Sequence, residues 1–412
     1  MVEYAAWVGL DWGREKHAVE VVGRDQQRWT TFVDQTGEGI RQLADRLRRE
    51  FGGQPVAVGI EQGRGAVLWA LMQYEFLHLI PLNPRAVARF REAIRPSGAT
   101  DDMFDASAIR EFIQKHGDRL QAWAPDDSTT RELRRLVEWR RKLVNSSTAL
   151  SQQLQEVLLE YYPQALDWMG ELKSPMAAAF LRKWPTLDAV KRSRPDTIRA
   201  FYRRQGSRSA DRIEKRLDQM RTAEPLTADQ AIISALSTVA LSLVAQLETT
   251  EGQIRIFDRR IETIWNTHPD QEIFASFPGS GPNLGPRLAV AFGTDRNRWA
   301  GAASLQCLSG IAPIIEQSGK QRWVHSRWQC PKFLRQSFHE FAGQSIKYSL
   351  WARAFYDEQR RRGRGHHAAV RALAFRWIRI LFRCWKERTP YDETRYLDAL
   401  RRRGSPLAVG FA

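Results

Sequence analysis

Cysteine is scarce: Cys307, Cys330 and Cys384 are the only three in 412 residues. Their number is odd and none lies in a C-x-x-C spacing, which excludes a disulfide framework or a cysteine zinc site and fits a reducing cytoplasm. No run of 18 apolar residues occurs and no charged-then-apolar leader opens the chain, so no membrane segment is expected. Low-complexity tails and internal repeats are missing as well. Negative charge is the other shortage, with 63 Lys and Arg against 47 Asp and Glu and a net charge of +16. Such an excess draws polyanions by steering and counterion release, which makes nucleic acid the first partner to consider. The imbalance is local: residues 1–110 hold 14 basic and 15 acidic side chains, whereas 351–412 hold 15 and 6.

What is present falls into three parts. "WVGLDWGREKHAVEVVG" predicts two strands joined by a tight turn, "TFVD" a third, "EGIRQLADRLRREFG" a helix closed by Gly-Gly, and "PVAVGIEQ" a short buried strand. A helix near Gly65–Tyr74, a strand at "HLIPLN" and a helical run after "RPSGATDDMFDA" complete a mixed α/β sheet ending near residue 120. From "DDSTTRELRRL" onward, Leu136, Leu143, Leu150 and Val157 recur every seven residues, with Trp139 and Leu154 near the complementary positions. That spacing predicts a long helix with a coiled-coil stripe. A second long stretch, with Leu236, Leu243, Leu247, Ile254, Phe257, Ile261 and Ile264 as its apolar set, can pack antiparallel on the first or pair with another subunit. Residues 165–225 between them read as a helical insertion. The last part runs from "FASFPGSGPNLG" through helices broken by Gly and Pro and the basic "EQRRRGRGHHAAVRALAFRWIRILFRCWKE", and the closing "RRRGSPLAVGFA" reads as frayed.

Candidate chemistry begins with carboxylates. Asp11 follows the apolar run "WVGL" and Glu61 follows "VAVGI", so each acid stands late in a buried strand. Asp102 and Asp105 in "TDDMFDA" are three apart, a spacing that points both the same way at a helix start. Acids brought together in an α/β sheet repel one another unless a cation compensates, and hard oxygen ligands suit one or two Mg²⁺ ions, with Mn²⁺ as a substitute. Such ions assist phosphodiester cleavage. Each acid alone has a plainer reading: Asp11 ends a strand, Asp101 and Asp102 cap a helix, Glu61 pairs with Arg64. "GLDWGREK" also resembles the first phosphate loop of actin-like ATPases, but no second loop of the "DxGG" kind follows.

Further along, Gly279 and Gly281 have the spacing of a helix-hairpin-helix turn able to hold a phosphate, or of a helix end followed by Pro282 starting the next helix. Ser318 lies in "QSGK" with Lys320, Arg322, His325 and Arg327 within nine residues. A serine hydroxyl needs such cations or a base to become a nucleophile, while a Ser-Gly pair beside Lys, taken alone, reads as a hairpin turn. After it, Trp328, Phe333, Phe338 and Phe341 interleave with Arg327, Lys332 and Arg335, an arrangement that can stack on bases, with Phe338 and Phe341 assigned to the core.

Together these segments resemble the IS110-family transposases, the bridge-RNA-guided recombinases. "VGLDWGREKHAV", "VGIEQGRG" and "SGATDDMFDA" resemble the family's DEDD domain, while "FPGSGPNLGPRLAVAFG", "LSGIAPIIEQSGKQRWVHSRWQCPKFLRQSFHEFA" and "RRGRGHHAAVRALAFRWIRILFRCW" resemble its carboxyl-terminal domain. The resemblance implies an α/β RNase H-like (RuvC-like) domain over residues 1–120, a helical coiled-coil segment over 121–270 and a mostly α-helical transposase domain over 271–412. It implies Asp11, Glu61, Asp102 and Asp105 as Mg²⁺-binding acids, with Asp102 rather than Asp101 matching the family's spacing, and Ser318 as nucleophile of a covalent phosphoserine intermediate. The implied partners are donor and target DNA, a structured non-coding bridge RNA that reads sequence by base pairing, and further copies of the chain, as dimers pairing into a tetramer. The acids of one subunit can then be completed by the serine of another. The rival expectation is a RuvC-like, structure-selective endonuclease that hydrolyses DNA junctions with the acids alone.

Overall fold

A computed structural model describes residues 2–61, 65–95 and 101–405. Gln62–Arg64 of "VGIEQGRG", the stretch 96–100 before the acidic cluster, and the closing residues 406–412 read as frayed lie outside the described residues. The chain divides into two compact units, Met1–Pro125 and Asp126–Ala412.

The first unit runs β1 (Ala6–Asp11), β2 (Lys16–Gly23), β3 (Arg28–Asp34), α1 (Gly37–Glu50), β4 (Val56–Ile60), α2 (Ala66–Leu71), β5 (Leu77–Pro81), α3 (Pro84–Ile94) and α4 (Asp102–His116). Its five strands form one sheet in the order β3-β2-β1-β4-β5. β1 pairs antiparallel with β2, and β2 with β3, whereas β4 and β5 lie parallel to β1. The mixed α/β sheet expected from the sequence is therefore present. β4 is buried along its whole length, which is why it reads as an unbroken apolar run, whereas the edge strand β3 alternates.

Helix starts follow local chemistry. Thr36 accepts a hydrogen bond from the Gly39 amide at α1, and Asp101 accepts one from the Phe104 amide at α4, each satisfying a donor that the helix leaves free. α3 is absent from the sequence expectations, which pass directly from "HLIPLN" to the acidic cluster. Its start is nonetheless encoded, since Asn83 caps it and Pro84 occupies the first turn.

α4 crosses the sheet at two glycines. A Cβ on Gly9 would stand 1.9 Å from the Ala106 carbonyl oxygen, and one on Gly59 would stand 2.8 Å from Ile109 Cγ2. Only bare backbone lets the helix come so close. Arg110 on the same helix reaches Glu20 of β2 at 3.2 Å, a fully buried carboxylate that also pairs with Arg28. These contacts fix where the first turn of α4 stands relative to the ends of β1 and β4.

The second unit is mostly helical. α5 (Ser128–Tyr161) and α11 (Gln230–Trp265) are its longest elements, with the short helices α6 to α10 between residues 165 and 222. α5 and α11 run antiparallel, tied by Glu132 with Arg260, Arg140 with Asp258 and Ser147 with Glu251. The expected seven-residue series Leu136, Leu143, Leu150 and Val157 lies half-buried along a flank, and Trp139 is exposed. The buried seam passes through Leu133, Val137, Ser147, the expected Leu154, Leu158 and Tyr161. α11 follows expectation more closely, burying Leu243, Leu247, Ile254, Ile261 and Ile264. By length and composition α11 alone among the described helices could cross a membrane, but core helices pass the same test and its second half carries ion pairs to α5.

The insertion builds its own core on the far halves of these helices, around Trp168, Phe180, Trp184, Phe201 and Tyr202. The rest comprises α12 (Gln271–Ala275), α13 (Gly281–Phe292), α14 (Ala302–Leu308), β6 (Ile314–Ser318), β7 (Gln321–His325), α15 (Lys332–Ser345), α16 (Leu350–Arg361), α17 (His366–Glu387) and α18 (Glu393–Arg402). Trp351, Trp377 and Trp385 are fully buried at its centre, and Phe338 and Phe341 join them as expected.

Candidate active site

In the parallel pair, Leu10 stands opposite Ile60, so the residues that follow, Asp11 and Glu61, leave adjacent strand ends on the same side of the sheet. Ligand sites of α/β sheets form at such carboxyl ends. The first turn of α4 brings Asp105 to them. Burial first, and then the charges of Asp105, Glu61 and Asp102, lift the Asp11 carboxyl to about 6 against the opposing charge of Arg91. Glu61 is raised too, again by burial first, with Arg91 opposing and Asp105 reinforcing. Three expected acids thus form one electrostatic cluster, with Asp102, which is exposed, at its margin. Asp101 faces elsewhere: it caps α4 and meets Arg95 at 3.4 Å. The alternative partner Arg64 lies outside the described residues.

Sequence reasoning missed Arg91. Its guanidinium lies 2.7 Å from Asp105 Oδ2 and 3.4 Å from Glu61 Oε1. A signal existed in the helix period: Arg91 falls one turn after the fully buried Val87, on the inward side of α3. An arginine there needs a carboxylate partner. Glu61 Oε1 and Asp105 Oδ1 are buried with no hydrogen-bond partner.

Hard oxygen donors, crowded carboxylates and two buried oxygens without hydrogen bonds fit a divalent cation such as Mg²⁺. Among the described residues, however, no three His, Cys, Asp or Glu side chains close around a single point. Arg91 holds Glu61 and Asp105 instead.

Ser318 is placed quite differently. It ends β6 and pairs with Gln321, leaving Gly319 and Lys320 as a two-residue turn with Gly319 at φ +58°. The hairpin that the Ser-Gly-Lys run suggested is therefore real. Both strands are exposed at nearly every position, and cross-strand pairing sets Ser318 and Glu316 on one face with Gln321 and Trp323. His325 meets Glu316 at 3.5 Å. Beyond the hairpin, Ser326 accepts a hydrogen bond from Arg371 of α17 at 2.7 Å, and Trp328 is 78% exposed. Lys320 in the turn and Arg322 beside it are exposed. At the other glycine motif, Gly279 in the turn after α12 and Gly281 at the start of α13 both have positive φ.

Residues 8–163 match a family model described as "Transposase", for the DEDD domain of IS110 elements, and residues 271–357 match one described as "Transposase IS116/IS110/IS902 family". The IS117 mini-circle protein of Streptomyces coelicolor is 28% identical over 94% of this chain and 95% of its own length. The insertion element IS900 42 kDa protein of Mycobacterium paratuberculosis is 27% identical over 93% and 96%, and the IS110 43.6 kDa protein of S. coelicolor 26% identical over 86% and 87%.

Proposed function

The chain belongs to the IS110 family of insertion-sequence transposases, and from that premise we propose that it cuts and rejoins DNA through a covalent phosphoserine intermediate, directed by a structured RNA. As a transposase it acts on DNA and transfers strands. In the proposed reaction the Ser318 hydroxyl attacks a scissile phosphate, a phosphorus–oxygen bond to the leaving strand breaks, and the leaving oxygen takes up a proton. Attack by a hydroxyl of another strand then releases the serine, so the energy of the diester is kept and no nucleotide cofactor is consumed. Asp11, Glu61, Asp102 and Asp105 would hold Mg²⁺ or Mn²⁺, which supplies charge stabilisation at the phosphate. Lys320 and Arg322 stand where they can neutralise backbone charge beside Ser318.

The observation that carries this reading is the convergence of Asp11, Glu61 and Asp105 at two parallel strand ends and a helix start. The strand order β3-β2-β1-β4-β5 supports an RNase H-like assignment of the catalytic part, taken as residues 1–120. The antiparallel α5–α11 pair supports a coiled-coil middle over 121–270, followed by the serine-bearing part over 271–412. The net charge of +16 suits an RNA and DNA assembly of several copies. In a strand-joining assay with donor DNA, target DNA and the non-coding RNA flanking the element, the wild type is expected to form joined products that Asp11→Asn, Glu61→Gln and Ser318→Ala each reduce by about 10³-fold or more. Cutting that persists in Ser318→Ala would instead favour a junction endonuclease that works with the acids alone.

A further inference from the structure

The acid cluster already has a cation, and it belongs to the protein. Arg91 bridges two carboxylates from different elements, Glu61 after β4 and Asp105 in α4, at 3.4 and 2.7 Å. All three side chains are largely buried, so the pairing is only partly screened by water. A guanidinium in this position does for the metal-free site what a divalent ion does for the loaded one: it neutralises carboxylates that repel each other. It does so incompletely, since one positive charge faces Asp11, Glu61, Asp105 and the marginal Asp102, and Glu61 Oε1 and Asp105 Oδ1 still lack hydrogen bonds. A divalent ion seated between the same carboxylates would face the guanidinium at close range, and two cations in one half-buried site repel strongly. The two cannot share it.

Resting on the metal site of the proposed function, we infer that Arg91 is an exchangeable counter-ion, which leaves Glu61 and Asp105 when a divalent ion enters and takes a DNA phosphate as its new partner. A guanidinium torn from two carboxylates needs an anion of similar geometry, and a phosphate accepts the same two-pronged hydrogen bonds. Metal and DNA then bind cooperatively, because each removes a cost to the other, and the coupling is reciprocal. Without DNA the site holds metal weakly, which keeps a strand-cutting centre quiet until its substrate is in place.

The test is Mn²⁺ binding by calorimetry to the full chain, with and without a short duplex lacking any target sequence, after subtraction of Mn²⁺ bound by the duplex alone. Wild type is expected to bind Mn²⁺ about tenfold or more tightly with the duplex than without it. Arg91→Met is expected to bind Mn²⁺ about tenfold more tightly than wild type without DNA, with little further gain on adding it. Arg91→Lys, which keeps a charge but loses the fork, is expected to fall between them and guards against a folding defect in the Met variant. Equal or weaker DNA-free binding in both variants overturns the exchange and leaves the metal site standing. Absence of Mn²⁺ binding in every protein, with or without DNA, overturns the metal site and the exchange together.

Discussion

The acids and the serine are held in opposite ways. Asp11, Glu61 and Asp105 stand on a buried sheet and on a helix pressed against it at Gly9 and Gly59, with a buried Arg110–Glu20 pair fastening the two. Ser318 stands beside the turn of a hairpin whose strands are exposed at nearly every position. The acid cluster is thus preorganised by packing, as its proposed electrostatic role requires. Ser318 is positioned by little beyond its own hairpin, so in the proposed reaction bound DNA would fix its final geometry. In the proposed reaction, a serine that waits for DNA before it attacks would match an acidic centre whose inferred cation exchange also awaits a phosphate.

That contrast can be broken in graded ways. The largest effect belongs to Ser318→Ala, expected to lower strand joining by about 10⁴-fold or more while moving stability by less than about 0.5 kcal/mol, since the side chain is exposed. Joining rates alongside thermal unfolding check this. Asp11→Asn is expected to cost about 10³-fold in joining yet to stabilise the metal-free protein near neutral pH, because it removes a charge that burial and its neighbours disfavour. Gly9→Ala sharpens the packing side: a methyl 1.9 Å from the Ala106 carbonyl forces α4 outward, and a loss of about 1–3 kcal/mol or more in unfolding free energy is expected, with joining lost in parallel.

Smaller still is the pH response of the acidic centre. The Asp11 carboxyl rises on folding from 3.8 to about 6, so the folded chain binds that proton more tightly than the unfolded one. Stability from this group is then full below the unfolded value and declines as pH rises through the folded one. Denaturant titrations of metal-free protein between pH 4 and 7 are expected to record this decline in the wild type and a flatter profile in Asp11→Asn. The smallest effect is at Gly319, where an alanine at φ +58° costs about 1 kcal/mol locally. Because the hairpin is exposed, global unfolding is expected to shift little, while hydrogen exchange at β6 and β7 quickens.

Legibility from sequence followed the same divide. β1 and β4 read directly as apolar runs because both are buried, and their terminal acids stood out for that reason. The Ser-Gly-Lys turn was equally local. Gly9 and Gly59 were invisible as contact points, since close approach of a helix leaves no mark beyond the glycine itself. Arg91 was missed with α3, a helix whose apolar stripe is short and buries only Val87. The seam of α5 shifted from the seven-residue series because its partners change along its length, from the carboxyl-terminal core at one end to the insertion at the other. A repeat tuned to one partner cannot serve both.

In the proposed reaction Ser318 itself bonds to DNA. The direct measurement traps the protein with its RNA on a nicked suicide duplex, digests it, and maps the nucleotide-bearing peptide by mass spectrometry. A single adduct at Ser318 in the Ile314–His325 hairpin, absent from Ser318→Ala, is expected. An adduct on another residue, or cut DNA with no linked peptide, would contradict it.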